Sequence, residues 1–215
     1  MSTITPQVLL KAYSVGVFPM AESADDPALY WIEPEERGVL PLGAFHVSHS
    51  LKKSVRHGGF EIRIDTAFES VMRLCAEKTP DREDTWINVR ILKLYGQLHK
   101  MGCCHSVETW RDGVLVGGLY GLRLGAVFFG ESMFARATDA SKVALVHLVA
   151  RLNFGGFKLL DAQFLNSHLE QFGCVTVPKA AYRPMLDAAQ DGDADFFAFR
   201  RDHDVEAVLK LAATG

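Results

Sequence analysis

The chain has 215 residues, 48% of them apolar and 23% charged, a balance that excludes a disordered, collagenous or coiled-coil protein. Its formal net charge of −3 excludes the broadly basic face needed to coat duplex DNA, but leaves room for a local basic patch on one RNA end. No apolar run approaches the roughly 20 residues that span a bilayer. Residues 1–20 also lack a basic-then-apolar signal layout, so a cytoplasmic protein without membrane contacts is expected.

Thr5 and Pro6 open an amphipathic helix with Val8, Leu9, Ala12 and Tyr13 on one face and Gly16 as its stop. Residues 17–42 hold Pro19, Pro27, Pro34 and Pro41 and little regular period, which predicts a loop-rich wrapped segment. Phe18, Met20, Tyr30, Trp31 and Ile32 make it too apolar for a solvated linker. Ser48 or Ser50 caps a short basic helix through His57, closed by Gly58 and Gly59. Residues 60–64 alternate as a strand, and Thr66 with Glu69 reads as a capping box for a helix to about Glu77. A charged loop at residues 78–84 leads to a further helix over residues 88–101. Residues 105–111 and 114–120 form a hairpin on Asp112-Gly113, and Gly125 turns the chain into a strand over residues 126–131. Asp139 caps a long apolar helix over residues 142–154, followed by a buried strand at residues 157–164. A short helix capped by Asn166, a strand at residues 175–177 and a last helix over residues 205–213 complete the chain.

This order predicts an α+β protein, a sheet covered by helices. It resembles the GNAT acyltransferase fold, and one alternative is a GNAT-type N-acetyltransferase. An acetyl-CoA enzyme needs glycine where backbone amides at a helix N-terminus hold a pyrophosphate, and residues 134–141 contain none.

Residues 130–134 approach the hydrolase elbow G-x-S-x-G but lack its second glycine. The four cysteines, Cys75, Cys103, Cys104 and Cys174, match neither a zinc site nor a disulfide framework, and the eight histidines give no H-E-x-x-H, so no metal is expected. Asp161 and Gln163 share a face at a strand end by period-2 alternation, and Glu131 also ends a strand. Such acids either cap the next turn or carry chemistry. Trp31, Trp86 and Tyr95 stand in polar company, suited to core packing or to stacking on a nucleobase. His46, His49, Lys52, Lys53, Arg56, His57 and Arg63 make either a solvated face or a phosphate-binding one.

Taken together, the segments at residues 13–20 (YSVGVFPM), 31–34 (WIEP), 37–41 (RGVLP), 45–51 (FHVSHSL), 85–87 (TWI), 105–110 (HSVETW), 117–121 (GGLYG), 130–134 (GESMF), 140–142 (ASK) and 160–163 (LDAQ), with His168, resemble the leucyl/phenylalanyl-tRNA–protein transferase family. His49 stands where that family usually has Arg, and Ala162 where it usually has Cys. The resemblance implies transfer of Leu or Phe, less often Met, from aminoacyl-tRNA to proteins with N-terminal Arg or Lys. That transfer marks them for degradation by the N-end rule, with no metal or coenzyme. It further implies a small N-terminal domain over residues 1–45, its boundary reaching as far as about residue 60, and a GNAT-like transferase domain over residues 46–215. Asp161 and Gln163 become the catalytic pair, Asp161 holding the acceptor's cationic end and Gln163 orienting the amine or relaying its proton. Phe128, Glu131 and Met133 line the aminoacyl pocket, and Trp31, Trp86 and Tyr95 surround the terminal adenosine. Lys52, Lys53 and Arg56 meet tRNA phosphates, with His105 and Ser106 as further contacts. A non-catalytic tRNA-end binding module accounts for the aromatics and the basic run but leaves Asp161 and Gln163 unexplained.

Overall fold

The computed structural model describes residues 4–79 and 83–213, and the centre of the loop expected at residues 78–84 lies outside them. Helix α1 (Pro6–Ser14) begins as its sequence dictates, with the Val8 amide donating to the Thr5 hydroxyl and Pro6 in the first turn. Leu9 and Tyr13 are buried, but Val8 is exposed, so the inward stripe is narrower than expected. The following segment is more regular than a loop. Strands β1 (Phe18–Met20) and β2 (Tyr30–Ile32) pair antiparallel, and β3 (Glu36–Val39) enters the main sheet. Strands of three or four residues are too short to print an alternation, and the prolines between them masked the rest.

Helix α2 (His49–His57), capped by Ser48, leads to β4 (Glu61–Ile64), α3 (Phe68–Ala76) and α4 (Val89–Lys100), the last capped by Asn88. A meander follows: β5 (Cys104–Arg111), β6 (Val114–Leu124) and β7 (Val127–Ala135). Helix α5 (Ala140–Phe154), β8 (Leu159–Gln163), α6 (Ser167–Glu170), β9 (Val175–Pro178), α7 (Lys179–Gln190) and α8 (Val205–Ala212) complete the order.

Two expected caps are replaced by tertiary contacts. The Thr66 hydroxyl bonds Glu108, and the Ala67 amide donates to Glu108 Oε1 at 2.7 Å, so a buried carboxylate of β5 caps α3. Asp139 has a left-handed φ of 63° and takes the Ser54 hydroxyl at 2.7 Å instead of a helix amide. Helix α7 was not expected, because Pro184 reads as an interior break. Its buried Tyr182, Leu186 and Ala189 nonetheless recur at helical spacing.

The seven-stranded mixed sheet runs β4-β5-β6-β7-β8-β3-β9, antiparallel except between β7 and β8. Helices α2, α5 and α8 cover one face, and α1, α3, α4 and α7 the other. Alternation along β7 sends Phe128 into the first core and Phe129 into the second. No helix among the described residues is long and apolar enough to cross a membrane.

Candidate active site

Strands β7 and β8 pair only through Val127–Leu159, Phe128–Leu160 and Phe129–Asp161, and then part. The cause lies on the other edge of β7. There Tyr120 faces Ser132 and Gly121 faces Gly130, which leaves Glu131 as an extra residue, a β-bulge. A bulge bends its strand and re-aims the inserted side chain. Glu131 is therefore inside a strand, not at the strand end expected from sequence.

The gap holds a cavity of about 230 Å³ walled by Leu119, Met133, Leu145, Leu148 and Leu160, with Tyr120, Glu131, Ser132, Asp161, Asn166 and His168 as polar residues. Burial, with the Lys142 charge, lowers the pKa of His168 and favours its neutral form. A second cavity of about 190 Å³ is lined by Phe18, Met20, Trp86, Gln163 and Phe164. Glu131, Ala162 and Asn166 line both. Ala162 is thus on the cavity side, although period-2 alternation turns it away from the face of Asp161 and Gln163.

The Glu131 carboxylate accepts from Tyr13 Oη at 2.7 Å on Oε1 and from Tyr95 Oη at 3.1 Å on Oε2, and the two phenol oxygens lie against each other. Gln163 Nε2 lies 3.4 Å from Oε1. Desolvation raises the Glu131 pKa to about 7, against the pull of the two phenol hydrogen bonds; the Asp161 charge adds to the rise and Arg37 opposes it.

Asp161 is bound quite differently. Arg37 Nε reaches both its oxygens at 3.0 Å and Nη2 reaches Oδ2 at 2.8 Å, with Arg37 only 1% exposed and Asp161 fully buried. Tyr182 also donates to Oδ2, and the Gln163 amide donates to Oδ1 at 2.7 Å. Arg37 is held in turn by the Gly16 carbonyl at 2.8 Å and lies over the Phe18 and Tyr182 rings. Gln163 has φ of 59°, a left-handed conformation costly for a non-glycine residue, and its turn is closed by the Phe164 amide on the Ala162 carbonyl at 2.6 Å. The Asp161–amide bond supports that turn. Gly38 runs beside it, where a Cβ would lie 2.6 Å from the Phe164 carbonyl carbon, so β3 needs glycine there.

The structure brings together Glu131, Met133, Trp86, Asp161 and Gln163. It corrects three expectations. Phe128 is fully buried between Phe157 and Phe196 and lines neither cavity. Tyr95 is fully buried with its hydroxyl on Glu131, so it offers no stacking face. Asp161 has its oxygens taken by Arg37, Tyr182 and the Gln163 amide, so it does not face an acceptor directly. Trp31 is 41% exposed on β2, opposite Pro19. Lys52 and Lys53 lie on α2 with Arg56, which makes a two-pronged ion pair with Glu206 at 2.7 and 3.0 Å. Phe45, just before α2, stacks on Phe172, which packs at a steep angle against His168, so the start of the basic helix lies on the His168 side of the first cavity. His105 is buried against Phe196 with Nδ1 2.7 Å from Asp65, and the Ser106 hydroxyl donates to Glu108, so both serve the core. Arg37, Tyr13 and Tyr182 were missed as site residues. The signal for Arg37 was available, since a buried carboxylate needs a paired cation and Arg37 lies in one of the diagnostic segments.

Two family models match the chain: leucyl/phenylalanyl-tRNA protein transferase over residues 39–187, and the N-terminal domain of the same family over residues 2–35. The chain is 61% identical to a leucyl/phenylalanyl-tRNA–protein transferase of Paramagnetospirillum magneticum over 186 residues, 86% of this chain and 89% of the relative. It is 56% identical to that of Rhodopseudomonas palustris over 211 residues, 98% and 94% of the two chains. It is 55% identical to that of Nitrobacter winogradskyi over 212 residues, 99% and 94%.

Proposed function

The chain belongs to the leucyl/phenylalanyl-tRNA–protein transferase family, and we propose that the gap between β7 and β8 is where it joins an aminoacyl group from tRNA to the N-terminus of a protein. It is an aminoacyltransferase acting between aminoacyl-tRNA and a protein acceptor. The observation that carries the assignment of the site is the meeting of an apolar cavity and an aromatic one at a single carboxylate, Glu131.

The donor is Leu or Phe, less often Met. Leu119, Met133, Leu145, Leu148 and Leu160 offer a wall without charge to such a side chain, and burying it stabilises the complex by roughly 1.5–3 kcal/mol. Trp86, with Phe18 and Met20 beside it, receives the terminal adenosine, and exposed Trp31 extends that platform. Lys52, Lys53 and Arg56 meet phosphates of the tRNA end.

The acceptor is a protein with N-terminal Arg or Lys. Its α-amino group, of ordinary pKa about 7.7–8.0, attacks an ester that is already activated, so no metal or coenzyme is required of the chain. Holding the two in attack geometry removes roughly 7–11 kcal/mol from a bimolecular barrier. Gln163 orients the amine, and Asp161 acts as a positioning residue by fixing the left-handed turn of Gln163. Residues 1–45 are the smaller N-terminal part, which lends β3 to the main sheet, and residues 46–215 the GNAT-like domain, a reading supported by the meander, long helix and strand order. The product enters N-end rule degradation in the cytoplasm.

Incubation with labelled Phe-tRNA and a peptide beginning with Arg tests the reading. Label at the peptide N-terminus is expected, and tRNA binding without transfer overturns it.

A further inference from the structure

The two cavities share Glu131, Ala162 and Asn166, and of these only Glu131 can exchange a proton near neutral pH. A donor with its side chain in the first cavity and its adenosine in the second carries its ester past this carboxylate, where the acceptor amine has to meet it. Resting on the transferase reading above, we propose that the Glu131 carboxylate takes the proton of the attacking amine and hands it to the leaving ribose oxygen, with Tyr13 and Tyr95 as the positioning pair that holds it.

The acceptor ammonium first loses one proton to solvent. The amine lone pair then forms the C–N bond at the ester carbonyl carbon while its N–H proton passes to Glu131. When the tetrahedral intermediate collapses, the C–O bond to ribose breaks and that oxygen takes the same proton. The carboxylate is regenerated, and nothing is oxidised or reduced.

Gln163 and Asp161 are poorer candidates. A glutamine amide does not hold a proton at neutral pH, and Gln163 presents its Nε2 donor to Glu131. Asp161 is neutralised by Arg37. Glu131, by contrast, is hydrogen-bonded by the neutral groups Tyr13, Tyr95 and Gln163, which leaves lone pairs and negative charge for an amine proton. Its remaining surroundings are Tyr120 of β6, Cys104 of β5, Asp161 of β8 and Arg37 of β3. The Tyr120 hydroxyl is buried without a partner among the described residues. A carboxyl titrating at about 7 is matched to an amine of similar affinity.

The test is the pH profile of single-turnover Phe transfer to an Arg-peptide, together with Phe-tRNA and peptide affinities. Failure of the wild-type protein to transfer at all would refute the functional reading itself. Given transfer, the wild-type logarithmic rate should rise with a slope of about two below the Glu131 inflection and about one between it and the amine inflection. Glu131→Gln should lose about a hundredfold or more near pH 8 and keep only the amine limb, with Phe-tRNA affinity unchanged. Tyr95→Phe and Tyr13→Phe each remove a hydrogen bond that favours the charged carboxylate, so each should move the lower inflection to higher pH. A Glu131→Gln profile that keeps both limbs, or a loss confined to peptide KM, would overturn the proposal. If Glu131→Gln does not fold, an unmoved lower inflection in both tyrosine variants overturns it equally.

Discussion

Two carboxylates stand on neighbouring strands at the point where the sheet parts, and their surroundings are opposite. Asp161 on β8 is fully buried, fork-bound by Arg37 and bonded by Tyr182 and a backbone amide. Glu131 on β7 lines two cavities and is hydrogen-bonded by phenols and an amide. Residue type therefore does not assign the role. A carboxylate that has been given a cation is committed to structure, because removing either partner strands a buried charge. One that is desolvated without a cation keeps an elevated proton affinity and remains available.

The comparison breaks most visibly at Arg37. Arg37→Met should leave Asp161 buried and unpaired, lowering stability by about 3–5 kcal/mol in urea or guanidinium unfolding. A loss under about 1 kcal/mol would mean that the pair is not committed in the way described. Next in size is Met133→Trp, which fills the space beside Glu131. Phe transfer should fall at least about tenfold, near 1.4 kcal/mol of barrier, with the affinity for uncharged tRNA held; equal loss of both would make Met133 ordinary core.

Glu131→Gln sharpens the contrast through stability. The ordinary carboxyl value is 4.5 and the folded value about 7. The stabilising contribution of the neutral carboxyl is therefore complete below the first value and lost as pH rises through the second. Gln stays neutral throughout. Above about pH 7 the variant should melt higher than wild type, by roughly 2–4 °C for each kcal/mol recovered, and the gain should vanish near pH 4. A pH-independent difference would show that Glu131 is not held at elevated proton affinity.

The smallest effect concerns a solvent-facing ion pair. Replacing Lys52 and Lys53 by Ala should reduce the salt slope of tRNA binding by about one per lysine. Arg56→Ala should reduce it less, because Glu206 already shares that charge. An unchanged slope in the lysine variant would leave α2 a solvated face.

Much of the fold was legible wherever a local signal was complete. Thr5, Ser48 and Asn166 cap helices where they were expected to, and the Asp112-Gly113 hairpin pairs as predicted. The signals failed where a distant residue took over: Glu108 draws Thr66 away from its own helix, and Asp139 turns to Ser54. Glu131, Met133, Asp161 and Gln163 were legible through the family resemblance, but their partners were not. Tyr13, Arg37 and Tyr182 come from α1, β3 and α7, and two of those elements were not foreseen as elements at all. Phe128 was misassigned because the bulge at Glu131 gives it the same face as Met133 but a deeper place, sealed by aromatic rings.

The bulge in β7 also determines how such a site can be gained or lost. The ladder is in register on both sides of Glu131, with Tyr120 against Ser132 and Gly121 against Gly130. Deleting that one codon would join two segments that already pair correctly with β6. The strand would straighten, and its cavity-facing carboxylate would be gone in a single event. Point substitutions grade the chemistry of this cleft, whereas a one-residue change of chain length switches it, so insertions and deletions in β7 are the events to look for along the lineage.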